Sequence, residues 1–438
     1  MMKETYPRLA RITACAAILM SIPVRQAAAS DLFTAEAITT DELSRLRLNE
    51  GSSDVLDLVD DLLDANGRFD ALEGRSYTAS LDYAGVDNAF IFTSNSEGTE
   101  TRLRIPLTGF DKVFRGNTRS ETTDEITDFL KKDGEEEYKK FLDALRGRSL
   151  VLPTDGNPQS ATARAAAVTF DEFGSVSGST DDRGIHGGVS ATVEAAKFSA
   201  GDFEGESYVL PLALKFKLSE QVGLVFNAPL GWITIEDADI YTAGLSASLP
   251  VLISKTNVGE PSPAPALDTS KDGGKAVAAT ISPEKPNPWT WMLTPTFGAI
   301  ATGSEQYAAG GLIGHASLTS ALAYSWPSLT LSLGNYIGYL ESIAVEGGDY
   351  TFDPGVTQAI FKGGLKASYR LSDIWLLEGY GIYTRFIDDA AVQEYFTVGA
   401  EIGWKIPTTG SQLKLGVYGE FGSDYSAGSI RLGSRWKF

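Results

Sequence analysis

The chain ends Ala427-Gly428-Ser429-Ile430-Arg431-Leu432-Gly433-Ser434-Arg435-Trp436-Lys437-Phe438. In a strand, successive side chains point to opposite faces. One face of this stretch then carries Ile430, Leu432, Ser434, Trp436 and Phe438, and the other carries Arg431, Gly433, Arg435 and Lys437. One side is apolar, the other is basic, and the final residue is an aromatic.

The same alternation recurs upstream. From about Gly187 the sequence reads as twelve strands, at 187–199, 207–218, 221–234, 240–253, 289–301, 312–326, 328–346, 357–371, 374–387, 393–405, 411–421 and 426–438. Within 207–218 the apolar parity holds Tyr208, Leu210, Leu212, Leu214, Phe216 and Leu218. Within 357–371, Phe361, Leu365, Ala367 and Tyr369 oppose Lys362, Lys366 and Arg370. In 374–387, Glu378 shares parity with Leu376 and Tyr380, so a bulge is expected to reset the faces there. If the last strand descends, the turns near Ser219, Pro327, Ser372 and 406–410 lie at one end and are short. Most connections at the other end are longer. Trp289, Trp291, Trp326, Trp375, Trp404 and Trp436 gather at the short-turn end, and Trp232 alone lies near the other. Nothing in a soluble sheet sorts tryptophan by end. A bilayer does, because indole prefers the headgroup level, and lipid outside with a polar lumen inside gives the alternation. Residues 254–288, rich in Pro, Lys and Asp, read as a disordered loop at the short-turn end.

On these residues, and on a last strand closing on Phe438, residues 187–438 resemble the bacterial outer-membrane β-barrel class. The resemblance implies a mainly β fold, a twelve-stranded antiparallel transmembrane β-barrel. It makes Phe438 the membrane-insertion signal and the six gathered tryptophans an interface girdle at the periplasmic end. Outer-membrane lipid and the barrel-assembly machinery are the partners it implies. The order of leader, soluble segment and C-terminal barrel also resembles autotransporters, in which Ser160–Phe173 would be a helix plugging the barrel. The soluble segment is short for a passenger and lacks β-helical repeats.

The amino-terminal third reads differently. In residues 1–29, a secretory signal peptide, Lys3, Arg8 and Arg11 precede the mostly apolar Ile12–Val24, and Ala27-Ala28-Ala29 offers a cleavage site. The only cysteine, Cys15, falls inside it, which excludes disulfides, Cys-ligated metal and thiol catalysis from the mature chain. Cleavage removes four basic residues and one acidic residue and takes the net charge from −20 to −23. That balance argues against nucleic acid as a partner. Residues 30–152 read as a small periplasmic α+β domain, with helix-like spacing over 41–64, strands at 76–83, 89–93 and 101–107, and a helical stretch over about 121–146 interrupted at Gly134. Residues 153–186 follow as a linker or plug helix. No apolar run reaches the ~20 residues that a membrane-spanning helix needs.

The lumen parity carries Lys215, Lys217, Lys362, Lys366, Arg370, Arg431, Arg435 and Lys437, with fewer carboxylates, and also His315 and Ser317. Charged rings set ion preference in pores, so this mix leans towards anions. His315-Ala316-Ser317 is similar to the His-x-Ser of outer-membrane phospholipase A, with Asn335 as the nearest third member. Here Leu318-Thr319 follows where that family has Asn-Gly, and the pair faces the lumen rather than lipid. The expectation is a non-enzymatic barrel without cofactor or metal. It would be a narrow channel or a structural barrel whose periplasmic domain gates the lumen or docks a periplasmic protein. Secretion of the N-terminal segment through the barrel, and lipid hydrolysis, are the alternatives.

Overall fold

The computed structural model describes residues 31–40, 45–129, 134–170, 173, 187–254, 289–347, 350–407, 409 and 411–437. The expected leader, nearly all of the expected 254–288 loop, most of 171–186 and Phe438 lie outside them, as does the side chain of Lys437.

The N-terminal domain is a six-stranded antiparallel sheet with helices on one face. Its strands are β1 (Phe33–Thr39), β2 (Arg47–Ser52), β3 (Tyr77–Tyr83), β4 (Val86–Ser94), β5 (Glu100–Ile105) and β6 (Phe110–Arg115), in the order β2-β1-β3-β4-β5-β6. Its helices are α1 (Val55–Asp64), α2 (Arg119–Asp128) and α3 (Glu135–Arg146). Asp54 caps α1 by accepting from the backbone of Leu56 and Asp57, and Thr118 caps α2 through Glu121 N. Only 55–64 of the helix expected over 41–64 is helical among the described residues. Leu46 and Leu48 belong instead to a two-residue alternation that pairs β2 with β1. The break at Gly134 separates α2 from α3.

Twelve long strands then close a barrel. They are β7 (Gly187–Ala200), β8 (Phe203–Lys217), β9 (Gly223–Ile235), β10 (Ala238–Ser248), β11 (Trp289–Ser304), β12 (Ala309–Ser325), β13 (Leu329–Ile343), β14 (Thr357–Arg370), β15 (Trp375–Phe386), β16 (Glu394–Lys405), β17 (Gln412–Gly422) and β18 (Tyr425–Lys437). Every neighbour is antiparallel, and β18 closes the ring on β7 from Tyr425↔Ala200 to Lys437↔Gly188. Closure leaves no unpaired edge, which a sheet in hydrocarbon requires. The outward face is apolar: Leu245, Phe297 and Leu365 are 63–66% exposed. The chain is a closed antiparallel β-barrel of twelve strands with an apolar outer face and a small α+β region before it.

The expected bulge at Glu378 is absent. The β14–β15 register runs unbroken from Ile360↔Phe386 to Arg370↔Leu376. Leu376, Glu378, Tyr380 and Ile382 all line the lumen. The lumen wall here is simply mixed, with apolar side chains among the charges.

The domain sits on one mouth of the barrel. Val55 N donates to Gln306 O at 3.0 Å, Tyr83 Oη to Tyr307 O at 2.6 Å and Tyr138 Oη to Ala308 O at 2.6 Å. All three acceptors lie in the β11–β12 turn. Phe33 meets the Tyr307 ring edge-on at 5.5 Å, and Tyr83 packs against Phe33, Phe90 and Phe141. Arg146 donates to Gly355 O just before β14 and to Thr357 O at its start, and Ala391 N before β16 donates to Arg146 O. Domain and barrel share one buried apolar core.

Every one of these connections lies opposite the short turns that bear the tryptophans. Trp289 is at the far end of β11 from Tyr307, and Trp375 is at the far end of β15 from Ala391. The two expectations of a periplasmic girdle and a periplasmic domain therefore exclude each other in this structure.

A latch at this joint carries a pH dependence. Asp353 pairs with Lys139 of α3 and accepts from Ser342 Oγ and from Gly355 N at 2.9 Å. Burial pulls its carboxyl up, but these hydrogen bonds outweigh burial and hold it below the usual aspartate range. A depressed acid stabilises the docked state above its unfolded value and loses that contribution as pH falls through its folded value. Domain docking, followed by limited proteolysis, is expected to weaken as pH drops below about 4, and Asp353→Asn to remove most of that dependence.

Candidate functional site

The lumen is occupied by the chain itself. Helix α4 (Ala161–Phe170) reads ATARAAAVTF, good helix-forming residues small enough for a barrel of this width. Ser160 Oγ accepts from Ala163 N at 3.4 Å, and Thr162 Oγ1 donates to Gln358 Oε1 at 2.8 Å, so the helix begins at the mouth that the domain covers. It runs inward along β11, β12, β13 and β14. Phe170 and Phe173 stack at 4.6 Å, and a Cβ on Gly334 would lie 2.3 Å from the Phe173 ring. Glycine at that position lets the ring approach the wall.

One polar side chain anchors the helix. Arg164 is buried and donates to Gln159 O at 3.1 Å and Gln159 Oε1 at 2.6 Å. Gln159 Nε2 donates in turn to Tyr425 Oη at 2.5 Å, and Tyr425 to Glu420 at 2.9 Å. Buried charge is tolerable when partners satisfy it in this way.

Beside the helix lies a cavity of about 490 Å³, running from Gln159 near the covered mouth to the short turn at Ser372–Trp375. Its charges form a belt set by register. Glu378 pairs across to Glu401, Glu401 to Gly416, Gly416 to Arg431, and Arg431 to Glu194. Each carboxylate in that row holds a cation. Glu378 takes Lys366 at 3.1 Å, Lys414, and Ser368 Oγ at 2.9 Å. Glu194 takes Arg431 at 2.8 and 3.0 Å and the Tyr418 hydroxyl. Glu401 lies 3.6 Å from Lys414 and 3.7 Å from Arg431.

The residues named from sequence are placed as follows. Lys362 and Lys366 are buried in the lumen wall, Lys215 and Arg431 are half-buried, and Arg370 and Arg435 line the cavity near its open end. Lys217 is exposed at the tip of β8. The six tryptophans point outward at the short-turn end, 39–48% exposed. His315 and Ser317 lie on the lumen side of β12, but His315 Nδ1 and Ser317 Oγ have no hydrogen-bond partner among the described residues. Asn335 shares the outward parity of Leu333 and Ile337, so the barrel wall separates it from His315. The three residues are not assembled. Sequence reasoning missed Glu378, Arg164 and Tyr425. The lone arginine in an alanine run was the signal available for Arg164; Glu378 shares parity with Leu376 and Tyr380, and Tyr425 is an aromatic on the lumen parity of the last strand, so neither stood out.

No protein-family model matches the chain, and no curated protein matched it. Among solved structures it is similar to the translocator domain of the autotransporter NalP from Neisseria meningitidis, at 14% identity over 64% of this chain and 98% of that one, with a TM-score of 0.41. It is also similar to the beta domain of a Bordetella autotransporter, at 11% identity over 58% and 100% of the two chains, with a TM-score of 0.39. An outer membrane channel from Pseudomonas putida F1 scores 0.40 at 11% identity, over 58% and 96%. Likenesses this distant transfer no residue role.

Proposed function

We propose that this outer-membrane β-barrel displays its own N-terminal domain on the cell surface, and that domain and lumen helix together keep the barrel closed. The observation that carries the reading is the placement of the domain. It is built onto the mouth opposite the tryptophans, at the turn holding Gln306, Tyr307 and Ala308. Short turns are typical of the periplasmic end of such barrels, which supports that mouth facing outward. The chain would leave the domain, descend the lumen as α4 and enter β7 at the periplasmic end. That order favours the autotransporter-like reading over a periplasmic accessory domain. The domain differs from a released passenger in sharing its core with the barrel.

Lipid hydrolysis is disfavoured, since His315, Ser317 and Asn335 do not form a working set. Lipid contacts the outward face, and the barrel-assembly machinery is the partner for insertion. Closure is tested in planar bilayers. The full-length barrel is expected to show no steady open level, and a persistent porin-like level would overturn closure.

A further inference from the structure

The cavity beside α4 has a sign. Among the described residues, its lining carries eight cations, Arg164, Lys362, Lys366, Lys414, Arg431 and the outermost three, Arg370, Lys405 and Arg435. Five described carboxylates oppose them, an excess of about three positive charges among the described lining residues of a chain whose net charge is −20. Of the five, only Asp373 lies at the open end, where three of the cations gather. Glu194, Glu378 and Glu401 sit in the inner row and each holds a cation. Towards the open end, Lys405 and Arg435 are joined in register through Gln412, and Arg370 ends β14 beside Leu376. Among the described residues neither Arg370 nor Arg435 has a carboxylate partner. The three outermost cations come from alternate strands, β14, β16 and β18, and so spread over one side of the mouth. A low-dielectric wall focuses such a field onto anything entering.

The geometry points to this cavity as a binding vestibule for a small organic anion with two or more carboxylate or phosphate charges, held by Arg370 and Arg435. The guanidinium groups suit either oxyanion, because each offers a planar fork of donors. A volume of about 490 Å³ lies within the range of small-molecule sites. The proposal holds whichever way the barrel faces; that the vestibule opens to the periplasm rests on the orientation proposed above.

The test is calorimetric titration of the full-length protein in detergent at low ionic strength, with citrate and with inorganic pyrophosphate as probes and spermine as the cationic control. Saturable binding of one or both anions, and none of spermine, is expected. Which of the two binds more tightly separates a carboxylate ligand from a phosphate one. R370Q/R435Q is expected to weaken binding at least tenfold while the barrel keeps its heat-modifiable gel shift. If that double variant does not fold, R435Q alone is expected to weaken binding about threefold or more. Absence of saturable anion binding, or affinity unchanged in the folded variant, overturns the proposal. Neither outcome depends on membrane orientation.

Discussion

Tyr83→Ala is expected to free the N-terminal domain from the barrel while the barrel itself stays closed as a sheet. Tyr83 is 2% exposed and lies where two cores meet. Its ring contacts Phe33 at 5.0 Å, Phe141 at 5.4 Å and Tyr307 at 6.4 Å, and its hydroxyl donates to Tyr307 O. Truncation removes that packing and leaves a cavity. Deletions of buried aromatics cost about 3–5 kcal/mol. A joint built from a few turns and one helix has little else to offset such a loss. Tyr83→Phe keeps the ring and gives up one hydrogen bond, a change of about 1 kcal/mol. Limited proteolysis of 31–150 should therefore accelerate strongly in the alanine variant and slightly in the phenylalanine one. The gel shift of the folded barrel should persist in both. Equal protease resistance of Tyr83→Ala and the parent would show that the joint does not hold the domain.

The second large effect is inside the lumen. Glu378→Ala is expected to destabilise the barrel, because Lys366 stays buried at 7% exposure and loses the only carboxylate within 4 Å that the described residues give it. Breaking a buried pair by removing one partner costs about 3–5 kcal/mol, the cost lying in the charge left behind. Lys414 suffers less, since Glu401 remains 3.6 Å away. Lys366→Met in the same chain should then recover most of the loss, because it removes the orphaned charge. The check is the urea midpoint of the barrel in detergent for both single variants and the double. A double variant no more stable than Glu378→Ala would mean that the pair does not act as a unit.

Much of the barrel was legible in the sequence because lipid enforces period two over long runs. Strands such as β8, with Leu212, Leu214 and Phe216 outside, carry their own orientation. The strand with Glu378 misled for a physical reason. A lumen packed by Phe170 and Phe173 accepts apolar neighbours, so parity alone no longer separates inside from outside there. In the domain, β1 was invisible because Ala35 and Ala37 supply its buried face, and alanine has little strand preference. The docking of the domain was illegible altogether. Tyr83 and Tyr307 are 224 residues apart, and no local pattern joins them. The lumen cations could be named one by one, but their pairing depends on register across five strands, from Glu378 on β15 to Glu194 on β7.

The central claim is that the domain and the short turns lie on opposite sides of the outer membrane, with the domain outside. Single cysteines report both sides, since Cys15, inside the expected leader, is the only cysteine of the chain. Glu97→Cys lies on an exposed turn of the domain, and Glu220→Cys on an exposed short turn of the barrel. A membrane-impermeant maleimide added to intact cells is predicted to label Glu97→Cys, and to label Glu220→Cys only after the outer membrane is permeabilised. Labelling of Glu220→Cys in intact cells with Glu97→Cys protected would contradict the account and return the domain to the periplasm.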